Sequence, residues 1–470
     1  MNYKSDFLYP LVRNAILRCQ WVSSFIGVIM NINEWFKDPK VLEKSKRGYA
    51  HFDLRTDLTK CKNYITNSKN IERHGFYPFI KYDLEYHKYN KAEGRKLKER
   101  TICYASHIDS CIFQYYSFLI NKKYNARLKQ DGIYEVPIAY RTDLHTDTIA
   151  EFRKMHQFMI QHPSSYVMIG DFTSFFDKID HQYLKERLCD LLQVDRLKSD
   201  YYAIFKRITK YDYWDLTDLY RLNNLTPKKR KDKIKMNSKP RILSQSDYKK
   251  YRSHIRRHQD NKGIPQGSSI SACLANVYMQ EIDKMINEFV VACGGIYRRY
   301  SDDFIIILPM DTSSTDDIEK IILKFEAFKD KGILELQPEK TQVYKLQSHS
   351  IVNIGHLFTP SLNEKHKTIN FIGFTFDGNA VKIREKTTSK YYYRMHHKAK
   401  GVAHQYYRNK YYKGADKLYQ LYSPNGRYGR GNYFTYLSRV QEAFPKHSIM
   451  IPEGRIMTKI RLTLRKNRWG

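Results

Sequence analysis

The chain has 470 residues and carries 82 lysines and arginines against 49 aspartates and glutamates, a formal charge of +33. A surplus of this size favours a polyanionic partner, above all nucleic acid. A hydrophobic content of 41% is ample for a core divided among two or three lobes. Seven cysteines without a CxxC or a paired Cys/His spacing argue against a zinc finger and a disulfide framework. The longest apolar stretch, residues 21–30, is too short to span a bilayer and no signal-peptide pattern is present, so we expect a cytoplasmic protein without a membrane partner.

In chain order, the first element with chemical content is a short apolar segment, residues 166–170, that ends in Asp171. Its composition predicts a buried strand. Residues 172–181 follow, and Asp180 is placed to cap an amphipathic helix. The apolar positions of that helix are Leu184, Leu188, Leu191 and Leu192. The sequence therefore places one carboxylate at the end of a buried strand.

The second element is a loop bounded by Gly263 and Gly267, with Pro265 and Gln266 between them. This loop opens a helix in which apolar residues recur with a helical period. These residues are at positions 270, 274, 277, 278, 282, 285, 286 and 289. The glycine pair at 294 and 295 predicts the end of the helix.

The third element contains two adjacent carboxylates, Asp302 and Asp303, between the alternating segment 296–300 and the apolar run 304–308. Both flanks predict strands, so the acids lie in or beside the turn of a β-hairpin. Neighbouring negative charges beside buried strands are costly unless a divalent cation neutralises them, and such oxygen ligands suit Mg²⁺. The alternative is an ordinary Asp-Asp turn. The metal hypothesis needs a third carboxylate on a neighbouring strand, and Asp171 is available.

These three elements resemble motifs A, B and C of the reverse transcriptase palm, and they occur in the same order. Motif A corresponds to the strand that ends in Asp171, motif B to the Pro-Gln-Gly loop with its helix, and motif C to the Tyr-x-Asp-Asp hairpin. Further along the chain, residues 336–341 resemble motif D and residues 370–374 resemble the hairpin of motif E. Upstream, residues 98–102 and 139–141 resemble two basic positions of the fingers. The resemblance covers residues from about 95 to about 376.

The resemblance implies an α+β fold of the right-hand polymerase type, with an antiparallel palm sheet on helices and a helical thumb. The predicted domains are a mainly helical N-terminal extension (residues 1–92), the fingers and palm (residues 93–378), and a thumb that binds nucleic acid (residues 379–470). The segment after motif E leaves room for a thumb but none for an RNase H domain.

The resemblance also implies roles for individual residues. Asp171, Asp302 and Asp303 would be catalytic and, with the backbone carbonyl of Phe172, would hold two Mg²⁺ ions, or Mn²⁺ in their place. The implied nucleotide-binding residues are Lys98, Arg100, Arg141, Phe176, Gln266 and Lys340, and the implied primer grip consists of Phe371, Ile372 and Gly373. For Lys340, proton donation to departing pyrophosphate, a phosphate contact and a salt bridge all remain open.

Phe176 lies five residues after Asp171, where DNA-making relatives carry an aromatic residue that packs against the sugar. A ring in this place excludes a 2′-hydroxyl, which selects deoxynucleotides. RNA-dependent RNA polymerases carry an acid there, and Asp177 follows immediately, so a shift of one residue would reverse the prediction. The aromatic pair of Phe175 and Phe176 favours DNA synthesis.

Two basic segments extend the nucleic-acid hypothesis. The first begins with Lys228, Lys229 and Arg230 and is either a solvated loop or a phosphate contact. The second lies after residue 390, where Arg394 and Arg408 alternate with tyrosines. These tyrosine rings either pack within a helical bundle or stack on nucleic acid.

Within the family, the overall architecture resembles the bacterial abortive-infection and defence-associated reverse transcriptases. This resemblance implies an RNA template or a partner non-coding RNA, deoxynucleotides, a DNA product, and a homo-oligomer or an accessory defence protein as further partner. The alternatives are a retron or group II intron enzyme, an RNA-dependent RNA polymerase, and an inactive RNA-binding scaffold. The primer is either the 3′ end of an RNA or a tyrosine of the protein, since a phenol attacks phosphate once it is deprotonated.

Overall fold

The computed structural model describes residues 31–90, 94–359, 362, 367–409, 411–428, 431–447, 449, 451 and 453–466. The helices in this part of the chain are α1 (Ile32–Trp35), α2 (Pro39–Ser45), α3 (Leu58–Ile65), α4 (Ser68–Glu72), α5 (His107–Gln130), α6 (Thr148–Gln161), α7 (Phe175–Lys178), α8 (His181–Leu192), α9 (Ser199–Thr209), α10 (Leu216–Leu222), α11 (Arg230–Ser238), α12 (Gln245–Lys250), α13 (Ser269–Ala292), α14 (Thr315–Asp330), α15 (Glu385–Asn409), α16 (Ala415–Tyr422), α17 (Tyr433–Ala443) and α18 (Glu453–Lys466). The strands are β1 (Phe79–Asn90), β2 (Gly94–Tyr104), β3 (Ser164–Asp171), β4 (Asp212–Asp215), β5 (Arg256–Arg257), β6 (Ile296–Tyr300), β7 (Asp303–Pro309), β8 (Gln342–Gln347), β9 (Ser350–Asn353), β10 (Ile369–Phe371), β11 (Phe374–Phe376) and β12 (Val381–Ile383).

The chain folds into two compact units, each assembled from separate stretches of sequence. Unit 1 consists of the described residues up to His145 together with Phe172–Phe289 and Ile321–Leu336. Unit 2 consists of Thr146–Asp171, Val290–Lys320 and the described residues from Gln337 onward. Both units combine helices with sheets whose strand pairs are antiparallel except for the parallel pair of β1 and β4 in unit 1, which confirms the predicted α+β class.

The central sheet of unit 2 has five strands in the order β6-β7-β3-β8-β9, and every neighbouring pair is antiparallel. Strand β7 lies inside the sheet, and the five residues from Phe304 to Leu308 are fully buried. Such a continuous apolar run is typical of a strand covered on both faces. Gly170 precedes Asp171 in β3, and a Cβ at this position would overlap the ring of Phe304. The glycine therefore lets the two central strands pack closely where the acids lie.

Unit 2 also contains a small antiparallel sheet, β10-β11-β12, and the helices α6 and α15 to α18. The ring of Phe374 in β11 stacks on Phe152 of α6, with centroids 4.9 Å apart, and Phe444 packs against both rings. Helix α15 packs along α18 and buries Tyr391 and Met395. The C-terminal region is helical from residue 385 onward in its described part, as predicted.

Unit 1 contains a four-stranded sheet in the order β2-β1-β4-β5. Its core includes Phe52 of the N-terminal region, Trp214 of β4 and Met236 of α11, all buried in one cluster. The insertion between motifs A and B thus shares a core with the N-terminal region. Helix α8 begins after Asp180, whose side chain accepts the N–H of Tyr183 at 2.9 Å, as the sequence predicted.

One predicted domain boundary is wrong. Strands β1 and β2 are paired in register from Ile80↔Tyr104 to Asn90↔Gly94, and the predicted boundary between residues 92 and 93 falls between these two strands in the sequence. The end of the supposed helical extension is therefore a strand. Apolar or aromatic residues alternate with charged ones over residues 80–86, a pattern that indicates a strand and that the predicted boundary did not use. No helix in the described part of the chain is both long enough and apolar enough to cross a membrane.

Candidate active site

The hairpin of β6 and β7 carries Asp302 and Asp303 at its turn, at one end of the strands of the five-stranded sheet of unit 2. Tyr300 pairs with Asp303 across the hairpin, so Ser301 and Asp302 form a two-residue turn. Ser301 is buried and has a φ of 61°, a conformation that tight hairpin turns require and that most residues avoid. Asp302 therefore lies in the turn and Asp303 directly beside it, as the sequence predicted.

Asp171 joins these acids through the sheet. It is the last residue of β3 and lies directly opposite Asp303 in the antiparallel register of β3 and β7, and residues opposite each other point to the same face. Lys340 completes the group, because its Nζ lies 2.6 Å from Oδ2 of Asp171. The N–H of Gln337 donates to the carbonyl of Asp171 at 2.8 Å, which fixes the turn that carries Lys340. Of the three roles considered for Lys340, the structure contains the salt bridge.

The electrostatics of this group oppose the ionised state of the acids. Burial and repulsion from Asp171 raise the pKa of Asp302 above its ordinary value. Burial among protein atoms, then repulsion from Asp302 and Asp171, raise the pKa of Asp303 to about 7. The residue Asp303 nevertheless retains solvent access, so water screens part of this repulsion. The charges here are therefore only partly compensated by Lys340.

This environment fits a cation. Among the described residues, no group of three or more His, Cys, Asp or Glu side chains forms a ready-made metal site. The acids nevertheless have pKa values raised by burial and by repulsion between their charges, and a bound cation would offset both effects. The ammonium group of Lys340, 2.6 Å from Asp171, shows that the site accommodates positive charge. Carboxylate oxygens without sulfur or imidazole suit Mg²⁺ or Mn²⁺.

Arg299 supports the hairpin, and the sequence analysis missed it. Its side chain is fully buried, and one guanidinium nitrogen donates to the carbonyl of Ser301 at 2.8 Å. A buried cation below the turn fixes the backbone that carries the acids. The signal was present in the sequence, because Arg299 has the same parity as the buried Tyr297 in an alternating strand, and side chains of equal parity share a face.

Unit 1 contains the segment that follows Asp171. Phe172 and Phe175 are buried, and Phe172 packs on Phe325 of α14, with ring centroids 5.7 Å apart. Phe176 is only half-buried and meets Phe175 edge to face. Of the aromatic pair, Phe175 therefore belongs to the core and Phe176 is the more exposed ring.

The Pro-Gln-Gly loop of unit 1 is fixed on both sides. The N–H of Ile264 donates to the carbonyl of Phe176 at 2.9 Å, and the carbonyl of Gln266 accepts the N–H of Cys103 in β2 at 2.7 Å. Gly267 has a φ of 113°, and a Cβ there would lie 2.7 Å from the carbonyl oxygen of Cys103. These bonds bring together Phe176, Gln266 and the strand that carries Arg100. The Arg100 side chain is exposed, whereas the side chain of Lys98 lies outside the described part of the structure.

Arg141 does not have the predicted role of an open nucleotide-binding cation. Its side chain is 1% exposed and forms an ion pair with Asp143 at 2.5 Å. It also donates to the carbonyls of Tyr134 and Pro137, and its guanidinium stacks on the Tyr134 ring at 4.4 Å. A guanidinium with all these partners anchors a loop and is not available to a triphosphate. The sequence showed an arginine at the matching position but not its burial.

The remaining predicted residues lie in three places. Phe371 is buried, and Ile372 and Gly373 form the turn between β10 and β11, with φ values of 38° and 96°. Lys228, Lys229 and Arg230 are exposed; the two lysines lie in the loop before α11, and Arg230 is the first residue of that helix. Arg394 is half-buried on α15, and the side chain of Arg408 lies outside the described residues.

The sequence profile described as "Reverse transcriptase (RNA-dependent DNA polymerase)" matches residues 118–376, more than half of the chain. The chain belongs to the reverse transcriptases. No curated protein is similar enough in sequence to count as a relative.

The solved structures to which this chain is similar include telomerases from two Candida species. Apo telomerase from Candida tropicalis, truncated from its C-terminal domain, is 14% identical, and the match covers 68% of this chain and 59% of that one with a TM-score of 0.38. Telomerase from Candida albicans in complex with a TWJ fragment of telomeric RNA is 13% identical, and the match covers 87% and 57% with a TM-score of 0.35. This reverse transcriptase thus spans less than two thirds of either telomerase, and similarity at this level supports no statement about its activity.

The reverse transcriptase motifs correspond to definite elements. Motif A is β3 with the segment leading into α8, motif B is the loop that opens α13, and motif C is the hairpin of β6 and β7. Motif E is the hairpin of β10 and β11. The family assignment confirms the right-hand polymerase class that these motifs predicted.

Proposed function

We propose that this reverse transcriptase is an active RNA-directed DNA polymerase that adds deoxynucleotides to a primer 3′-hydroxyl. The observation that supports this most is the pairing of Asp171 with Asp303 across β3 and β7, with Asp302 in the adjoining turn. An inactive scaffold has no need for three acids at one sheet edge, where their mutual repulsion raises pKa values and costs stability.

Asp171, Asp302 and Asp303, with the backbone carbonyl of Phe172, would hold two Mg²⁺ ions, or Mn²⁺ in their place. Bound there, the metals would lower the pKa of the primer hydroxyl and neutralise the phosphates of the nucleotide. The carboxylates orient the ligands, and the turn fixed by Arg299 keeps Asp302 in place. Lys340 holds a positive charge beside Asp171, and we propose that it moves to the phosphates or to departing pyrophosphate once the acids have other partners.

The nucleotide would be selected by unit 1 residues. Arg100 is exposed on β2, and we propose that it neutralises the triphosphate together with Lys98. Phe176, the less buried member of its aromatic pair, would pack against the sugar and exclude a 2′-hydroxyl. Gln266, fixed through its own carbonyl to Cys103, would contact the nucleotide or the template base.

The nucleic acid would be held by positive charge and by the thumb. Lys228, Lys229 and Arg230 form an exposed basic helix start that suits phosphate contacts. On α15, Arg394 and the neighbouring Tyr393, which is 64% exposed, would contact a primer–template duplex, as would Arg408. The turn at Ile372 and Gly373 would grip the primer end. An RNA template and a DNA product are the partners we propose.

The biological setting we propose is antiphage defence, with a partner non-coding RNA that serves as template. It rests on the resemblance to defence-associated enzymes described above. For the primer, we favour an RNA 3′ end over a tyrosine of the protein. Tyr391 and Tyr436 have pKa values raised by burial, which opposes the phenolate that a nucleophile needs, whereas Tyr393 and Tyr411 are exposed and remain the candidates to examine.

The experiment supplies the purified enzyme with an RNA template, a primer and either deoxy- or ribonucleotides in Mg²⁺. We expect DNA synthesis by the wild type, none by Asp171→Asn or Asp302→Asn, and near wild-type synthesis by Asp311→Asn. Asp311 is exposed in the same unit and serves as the matched control. Preferential use of ribonucleotides would identify an RNA polymerase, and no incorporation by the wild type would favour a scaffold. Loss of phage protection by Asp302→Asn alone, with Asp311→Asn protective, would support the defence setting.

A further inference from the structure

The loop between α5 and α6 contains two non-glycine residues in the left-handed region. Tyr140 has a φ of 64° and His145 a φ of 47°, and both residues are exposed. A left-handed conformation is a genuine outlier for a bulky residue such as tyrosine, and it persists only where the surroundings enforce it. The loop therefore maintains an unfavourable backbone at Tyr140, whose ring is exposed.

The anchors on either side of Tyr140 are strong. The carbonyl of Ala139 accepts the side-chain amide of Asn276, which is buried in α13, at 3.0 Å. Arg141 follows, with its buried guanidinium bonded to Asp143 and to the carbonyls of Tyr134 and Pro137. The residues before and after Tyr140 are thus fixed, while the residue between them is 44% exposed. Arg141 therefore anchors the loop, and Tyr140 is the exposed side chain beside this anchor.

We propose that Tyr140 is a stacking platform for an unpaired base of the RNA template, with His145 beside it on the same loop. Single-stranded RNA is recognised through bases that stack on aromatic rings, and a fixed ring loses little freedom when a base binds. Helix α13, which holds Ala139, opens at the Pro-Gln-Gly loop, so Tyr140 belongs to the same framework as Gln266. A protein partner fits this surface less well, because a stable interface needs roughly 800 Å² on each side with an apolar centre. Thr142, which lies between Tyr140 and His145 in the sequence, is an exposed polar residue. The proposal rests on the polymerase function proposed above and names a residue that contacts its template.

The test uses three variants of the full chain. Tyr140→Asn removes the ring and introduces a residue that tolerates left-handed backbone. Tyr140→Phe keeps the ring, and Thr142→Ala changes an exposed neighbour on the same loop. Each protein binds a primer–template whose RNA overhang carries 2-aminopurine at successive positions, and fluorescence is read without nucleotides. The template KM and the kcat at saturating template are then measured with deoxynucleotides.

We expect quenching at one overhang position in the wild type, Tyr140→Phe and Thr142→Ala, and loss of that quenching in Tyr140→Asn. The template KM of Tyr140→Asn should rise about five- to tenfold, in keeping with the loss of one base–aromatic stack, with kcat unchanged. Its thermal midpoint should not fall below that of the wild type, because the substitution relieves the backbone. Unchanged quenching and KM in Tyr140→Asn, or a lowered midpoint, would overturn the proposal. Since fluorescence is read without nucleotides, an enzyme that makes no DNA still tests Tyr140 and refutes only the polymerase.

Discussion

Asp303→Asn should stabilise the metal-free protein while it abolishes synthesis. Burial among protein atoms, then repulsion from Asp302 and Asp171, raises the pKa of Asp303 from 3.8 to about 7, and a tenfold change in proton affinity corresponds to about 1.4 kcal/mol. The rise therefore corresponds to at most about 4 kcal/mol. Because Asp303 retains solvent access, screening reduces this, and we expect a gain of about 1–2 kcal/mol from the neutral isostere at pH 8.

The sign of the pH dependence follows from the raised pKa. A group that binds its proton more tightly in the folded state stabilises the protein at low pH, and this stability is lost as the pH rises from about 4 to about 7. The advantage of Asp303→Asn should thus be largest near pH 8, shrink by pH 5 and approach zero near pH 4. Urea unfolding of both proteins in a chelator across this range measures it, with Asp311→Asn as the control.

Added Mg²⁺ should reverse the order. A cation that binds the folded acids stabilises the wild type by mass action, whereas the variant has lost one ligand and should gain less. An Asp303→Asn protein that is no more stable than the wild type at pH 8, or equally advantaged at pH 4, would show that the buried and repelled charge of Asp303 does not destabilise the fold.

Three further changes test other parts of the molecule. Phe176→Val should raise the use of ribonucleotides relative to deoxynucleotides by about one to two powers of ten, the range for a relieved pocket clash; unchanged discrimination in incorporation assays would place the sugar gate elsewhere. Ile372→Asn should stabilise the turn of the motif E hairpin by about 1 kcal/mol, because a β-branched residue at a φ of 38° is strained; a clear loss in urea unfolding would mean that its side chain packs instead. Gly401→Ala should stabilise α15 by about 1 kcal/mol, since no atom lies within 4 Å of the added Cβ. Weaker primer–template binding by this more stable variant would show that this face of the helix approaches nucleic acid closely. Unchanged binding would contradict that role.

The sequence alone determined the elements that depend on local pattern. Strand β6 was predicted at residues 296–300 and lies at Ile296–Tyr300, and the apolar run 304–308 lies within β7. Asp180 caps α8 as expected. These features were readable because alternation, helical period, caps and turn residues act over a few neighbouring positions. The same local signals, in a fixed order, were enough to identify the family.

Only the tertiary structure decided which of several residues of the same type are exposed and which are buried or paired. Arg100 and Arg141 look alike in the sequence, yet one is exposed on a strand and the other is enclosed by Asp143 and two carbonyls. The ion pair of Lys340 with Asp171, 169 positions apart, depends on a sheet register that no local pattern contains. Burial and ion pairing are set by contacts between distant segments, so they appear only when the chain is folded. That is also why the exposed ring of Tyr140, next to the buried arginine, became visible as a candidate for function.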